Sequence, residues 1–185
     1  GVGVIALAVP DAEASYKEAT ARGAEGAIEP TEEDDENGVL RYSALKAYGD
    51  TLIKFIDRSD YRGVFAPGFD RVGEANGNGA GLHTVDHIVG NVELGRMNHW
   101  VDFFAKALGF SQLVHFDENQ IATEYSALMS KVMQDGSGKI KFPINEPAEG
   151  KKKSQIEEFL EFYNGPGVQH IACQTDNIID TVTEL

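Results

Sequence analysis

Basic residues are scarce in this chain: 16 Lys and Arg stand against 30 Asp and Glu, a net charge of −14. Nothing gathers into a basic stripe, which argues against the phosphate backbone of a nucleic acid as a partner. Long apolar runs are missing too, and none approaches the roughly 20 residues that a membrane helix needs, so no membrane partner is expected. No signal-peptide pattern opens the sequence. The lone cysteine, Cys173, excludes an intrachain disulfide framework and fits a reducing compartment, so a cytoplasmic protein is expected. No glycine-rich phosphate loop precedes a helix, and no serine nucleophile elbow occurs. The remainder, 42% apolar and 25% charged over 185 residues, is ordinary globular composition, enough for one sizeable domain or two small ones.

Against these absences stands one strand written three times. Gly1-Val2-Gly3-Val4-Ile5-Ala6, Thr84-Val85-Asp86-His87-Ile88-Val89 and Gly167-Val168-Gln169-His170-Ile171-Ala172 align without a gap, 83 residues apart each time. A fixed offset repeated twice indicates internal duplication of a supersecondary unit. The fourth position reads Val4, then His87, then His170. A position that is apolar in one copy and imidazole in two suggests chemistry placed on a repeated scaffold.

Each copy reads as strand, helix, three strands. In the first, Asp11 is placed to cap a helix using Ala12, Tyr16 and Ala19, and Gly23 to stop it. Strands are expected at about 24–29, 40–47 and 51–57, with Asn37-Gly38 as a turn. The acidic run Glu32-Glu33-Asp34-Asp35-Glu36 lacks the ligand alternation of a calcium loop and reads as a solvated loop. Residues 59–83 are glycine-rich and read as a linker between modules. In the second copy, Met97, Trp100, Val101, Phe104 and Leu108 recur at helical spacing before Gly109. Strands then fit 111–116, 122–133 and 139–144. The capping box Ser154-Gln155-Ile156-Glu157 starts an added helix with Ile156, Phe159, Leu160 and Tyr163 facing inward, and Pro166 ends it. The third copy begins at Gly167 and is only started by Leu185, so the chain is expected to be a segment of a longer protein.

The expected fold class is α+β, built of repeated βαβββ modules. One such unit leaves an apolar sheet face bare, and paired units with curved sheets bury it by forming a half-open cup. Strict alternation puts Val85, His87 and Val89 on one strand face, and Val168, His170 and Ala172 on one face of the other. Two readings stay open for this pair: satisfied core histidines, or two imidazole ligands brought to one cation by the pseudo-symmetry. His83, His99 and His115 read as solvent-facing, and Cys173 as a small packing residue on the strand face opposite His170.

Five blocks carry a resemblance to a known family. They are Asp86-His87-Ile88-Val89-Gly90-Asn91-Val92, Glu124-Tyr125-Ser126-Ala127-Leu128-Met129-Ser130, Phe142-Pro143-Ile144-Asn145-Glu146-Pro147, Lys153-Ser154-Gln155-Ile156 and Gly167-Val168-Gln169-His170-Ile171-Ala172. In order, they resemble the 4-hydroxyphenylpyruvate dioxygenases of the vicinal-oxygen-chelate (glyoxalase and bleomycin-resistance) superfamily. The resemblance implies four modules, of which residues 1–58 are the second, within a non-catalytic domain. Residues 84–166 would be the third and 167–185 the start of the fourth, together the first part of the catalytic domain. It implies Fe(II) as cofactor, with His87 and His170 as two ligands and a glutamate beyond Leu185 as the third. Glu124 and Glu146 match no ligand position. Ser130, Pro143, Asn145, Gln155 and Gln169 match substrate-pocket positions, and Val89 packs beside the first ligand. The implied partners are a small 2-oxo acid and O2, the product homogentisate, and the assembly a homo-oligomer, dimer or tetramer. Alternatives are hydroxymandelate synthase, with the same substrate and metal, and a non-catalytic ligand-binding member of the superfamily.

Overall fold

The computed structural model describes residues 1–73, 79–113, 128–148 and 153–185. By its internal contacts the chain divides into two compact units, residues 1–73 with 106–108, and the remainder.

The first unit is one βαβββ module. Its elements are β1 (Val4–Ala8), α1 (Ala12–Ala21), β2 (Gly26–Asp35), β3 (Gly38–Lys46) and β4 (Leu52–Asp57). The sheet order is β1-β4-β3-β2, with β1 parallel to β4 and the other pairs antiparallel. Asp11 caps α1, its Oδ1 accepting from the Ala14 amide at 2.8 Å, and Gly23 takes φ +100° just beyond the helix end. Ile5, Ile53 and Leu45 are cross-strand neighbours and fully buried, because period-two alternation turns them to one face. Ser43, on that face, donates its hydroxyl to the Ala12 carbonyl at 2.9 Å and so anchors α1 over it. Val4, on the opposite face, is 49% exposed.

The acidic run departs from expectation. Residues 32–35 finish β2, and only Glu36 and Asn37 turn. The charges tolerate a strand because β2 is a sheet edge, where charge is normal, and because β3 supplies partners. Arg41 Nε meets Glu32 at 2.6 Å, and the Tyr42 hydroxyl donates to Glu33 at 2.5 Å. The first residues after β4 also pack rather than link. Tyr61 is buried, bridges to Gly38 and donates its hydroxyl to Asp35 at 3.1 Å.

The second unit holds β5 (Leu82–Asn91), α2 (Met97–Leu108), β6 (Ser111–Gln112), β7 (Leu128–Gln134), β8 (Lys141–Pro147), α3 (Gln155–Tyr163), β9 (Gly167–Thr175) and α4 (Ile178–Glu184). Its sheet order is β6-β7-β8-β5-β9. β5 runs parallel to β8 and antiparallel to β9, so the strands that carry His87 and His170 lie side by side. Phe104 of α2 is fully buried and stacks on Phe142 of β8 at 4.9 Å, fixing the helix to one sheet face. Gly109 stops α2 at φ +70°.

The capping box of α3 is present in both directions, and Ile156 is buried. Two details of α3 differ from expectation. It ends at Asn164, whose φ of +56° makes a left-handed stop before Pro166 is reached. Tyr163 is 53% exposed rather than inward, because its ring lies on Phe159 at 4.6 Å. β8 runs three residues further than expected, to Pro147. The expected strand residues 114–116 and 122–127 lie outside the described residues.

Candidate functional site

The seam between β5 and β9 is irregular at three points: His83 is an extra residue near the start of β5, and the other two irregularities adjoin His87 and His170. Val85 pairs with Cys173 and His87 with Ala172, so Asp86 is an extra residue on β5. Val89 pairs with His170 and Gly90 with Val168, so Gln169 is an extra residue on β9. Each is a β-bulge, which locally twists a strand and re-aims a side chain. The bulges break the alternation expected from the sequence. His87, Val89, His170 and Ala172 share one face, while Val85 and Val168 pair out of phase with them.

On the shared face the two histidines are diagonal neighbours, each opposite a residue two positions from the other. That spacing lets long side chains meet. Their ring centroids are 5.7 Å apart, with planes inclined at 74°. Each ring's Nδ1 contacts the residue before it: His87 lies 2.8 Å from Asp86 Oδ2, and His170 lies 2.7 Å from Gln169 Oε1. Asp86 Oδ1 also accepts from Lys141 Nζ at 2.8 Å and from Gln174 Nε2 at 3.2 Å. The hydrogen bond from His87, then that from Lys141, holds the Asp86 carboxyl below its usual range. Partial burial, then the neighbouring His87, holds the His170 imidazole below its usual value.

Both rings open into a cavity of about 470 Å³. Its other walls come from one face of β7 and β8, where the cross-strand pairs Ser130–Asn145 and Val132–Pro143 lie side by side. Val89, Leu113, Asp86 and Lys141 complete the lining. His87, His170, Val89, Ser130, Pro143 and Asn145 are thus brought to one cavity. Gln155 is not: it is the exposed first residue of α3. Gln169 turns its amide to His170 rather than lining the cavity. Asp86, Lys141, Leu113 and Val132 were not singled out from sequence. For Asp86 the obstacle was alternation itself, which assigns adjacent residues to opposite faces unless a bulge intervenes.

Glu146 lies on the opposite face of β8 from Asn145, buried, with Oε2 accepting from the Met97 amide at 2.9 Å. It caps α2 and is turned away from the cavity. His83 and His99 are exposed, as expected from the sequence; His115 and Glu124 lie outside the described residues. Cys173 lies on the strand face opposite His170, as expected, but is exposed rather than packed, because that face is uncovered there: its partner Val85 and neighbouring Ile171 are exposed too. Among the described residues no cluster of three or more His, Cys, Asp or Glu side chains could hold a metal ion, and no helix is long and apolar enough to cross a membrane.

Known proteins resemble both this sequence and this fold. The family model described as the Glyoxalase/Bleomycin resistance protein/Dioxygenase superfamily matches residues 84–185. A curated protein of Tetrahymena thermophila named 4-hydroxyphenylpyruvate dioxygenase is 44% identical over 191 residues, covering 100% of this chain and 47% of the relative. One of the same name from Dictyostelium discoideum is 43% identical, covering 100% of this chain and 52% of the relative. The chain therefore spans about half the length of these curated relatives. A solved triple mutant of 4-hydroxymandelate synthase from Streptomyces coelicolor aligns with a TM-score of 0.76 at 22% identity, over 98% of this chain and 51% of its own, a likeness of fold. With its βαβββ architecture and a family match over more than half its length, the chain belongs to the glyoxalase/bleomycin resistance protein/dioxygenase superfamily.

Proposed function

We propose that this chain is part of an Fe(II)-dependent 4-hydroxyphenylpyruvate dioxygenase, a cytoplasmic enzyme that converts 4-hydroxyphenylpyruvate and O2 to homogentisate and CO2. The observation that carries the reading is the pair of imidazoles on one wall of a single cavity, 83 residues apart in sequence and 5.7 Å apart in space. The names of the relatives, at up to 44% identity across the whole chain, support the particular activity.

The residues present fit two of three positions of a two-histidine, one-carboxylate iron site. Both Nδ1 atoms are engaged within the protein, which leaves Nε2 of His87 and of His170 as the ligand atoms. The third position in this reading is a glutamate beyond Leu185. Such a site, when loaded, offers open positions for a 2-oxo acid chelating through two oxygens and for O2. The chain's own residues supply the rest. Val89, Leu113, Val132 and Pro143 make apolar walls against which an aromatic ring packs while water is excluded. Ser130 and Asn145 offer neutral hydrogen-bonding groups on the far wall, able to orient a phenol without adding charge. Asp86, neutralised by Lys141, leaves the cavity's polar end without a net negative charge to repel an anionic acid. The cavity volume is in the range usual for small-ligand sites, roughly 300–1,000 Å³.

The test uses the protein expressed from its full gene, supplied with Fe(II), 4-hydroxyphenylpyruvate and O2. Homogentisate is the expected product. Formation of 4-hydroxymandelate overturns the product assignment, and binding of the acid without oxygen uptake overturns the enzyme reading. His87→Ala and His170→Ala are each expected to abolish stoichiometric iron binding. Full iron content in both variants refutes the ligand assignment.

A further inference from the structure

We infer that Asp86 is a positioning residue that fixes the tautomer and tilt of His87. This rests on reading His87 as a metal ligand and adds a residue that neither the motifs nor the family match assigns.

Three observations carry it. Asp86 is the extra residue of a bulge in β5, so the irregularity turns its carboxylate toward the side chain of its own neighbour. Regular alternation would have sent the two to opposite faces. Its oxygens are then divided: Oδ2 faces His87 Nδ1 at 2.8 Å, while Oδ1 takes Lys141 Nζ at 2.8 Å and Gln174 Nε2 at 3.2 Å. Lys141 comes from β8 and Gln174 from β9, so the carboxylate is held from both neighbouring strands and cannot swing to follow the ring. A carboxylate so placed accepts from Nδ1–H, so the neutral ring carries its one proton there and keeps a lone pair on Nε2. With both oxygens engaged, Asp86 is poorly placed to be a ligand itself.

The third observation is that the arrangement occurs twice. Gln169 stands 83 residues after Asp86, is the extra residue of the bulge in β9, and places Oε1 at 2.7 Å from His170 Nδ1. The first module has Gly3 at this position, beside Val4, so the acceptor is absent where the imidazole is absent. A packing role for the bulges would not require an oxygen-bearing side chain beside each histidine and none beside the valine. Carboxylate and amide acceptors behind metal-bound imidazoles typically change metal affinity by about 10–100-fold.

The experiment uses the metal-free protein expressed from its full gene with 15N-labelled histidine, the His87 signals being those lost in His87→Gln. Long-range 1H–15N spectra should show His87 with its proton on Nδ1. In Asp86→Ala that preference should disappear, and Asp86→Asn, which keeps an acceptor oxygen, should restore it. Fe(II) titration without substrate should show affinity reduced about 10–100-fold in Asp86→Ala, and by less in Asp86→Asn. Should Asp86→Ala fold poorly, the tautomer in the unmodified protein decides. A proton on Nε2 of His87 in that protein, or unchanged affinity in a folded Asp86→Ala, overturns the inference while leaving the iron reading intact. Unchanged Fe(II) binding in His87→Ala overturns the reading of His87 as a ligand and this inference together.

Discussion

Replacing Glu146 by alanine should loosen α2 without touching metal binding. The residue before the helix, Arg96, makes no side-chain cap, and the Met97 amide finds its acceptor in Glu146 Oε2 at 2.9 Å. Loss of a side-chain N-cap costs about 1 kcal/mol. A buried carboxylate at a helix N-terminus adds up to ~2 kcal/mol through the helix dipole. A combined loss of about 2 kcal/mol corresponds to roughly 30-fold faster local opening at 25 °C. Glu146→Gln keeps an acceptor oxygen and loses only the charge, so its effect should be about half as large in free energy, roughly fivefold faster opening. Amide hydrogen exchange across residues 97–104, measured on the protein expressed from its full gene, reads the change directly. Iron content should be the same in both variants and in the unmodified protein. Unchanged exchange in Glu146→Ala refutes the cap. Lost iron with α2 still protected refutes the argument that Glu146 faces away from the cavity.

Phe104→Ala removes a fully buried ring stacked on Phe142 and should cost about 3–5 kcal/mol, read as a lower denaturant midpoint by near-ultraviolet circular dichroism. Asp135 accepts from the Ser137 hydroxyl and from the Ile140 and Lys139 amides, and these bonds, Ser137 first, depress its carboxyl to about 2. A depressed carboxylate contributes stability above its unfolded value, near 3.9, and loses it as pH falls through its folded value. The β7–β8 turn should therefore loosen between about pH 4 and 2. The Ser137 and Ile140 amide shifts should report this, and Asp135→Asn should remove the step; an inflection near pH 4 in the unmodified protein would sink the account.

The modular fold could be read in the sequence because helix and strand signals repeat at a fixed interval. Asp11, Gly23, Gly109 and the Ser154–Glu157 box bound their helices through local chemistry that needs no tertiary partner. The acidic end of β2 was not legible because its strand character depends on Arg41 and Tyr42 of the neighbouring strand. Asn164 was overlooked because proline is the louder stop signal, although an asparagine tolerates the left-handed turn. Within the candidate site, His87 and His170 were visible as a substitution at one repeat position. Their engagement with Asp86 and Gln169 was not, because a bulge is a property of two paired strands and leaves no mark on either alone. The match of Gln155 to a substrate-pocket position came from sequence likeness, and the helix places that residue at its exposed start.

β9 is joined to its sheet by β5 alone among the described residues. The histidine pair therefore sits on a single seam of eight paired positions, and closing it ties off an 83-residue loop at an entropic cost of about 4 kcal/mol. Any ligand that grips both imidazoles works as a clasp on that joint. At 100 times its dissociation constant it would add about 2.7 kcal/mol to the closed form. Ligand occupancy and the closing of β9 on β5 are then one equilibrium, and emptying the site should be visible as faster amide exchange along that seam.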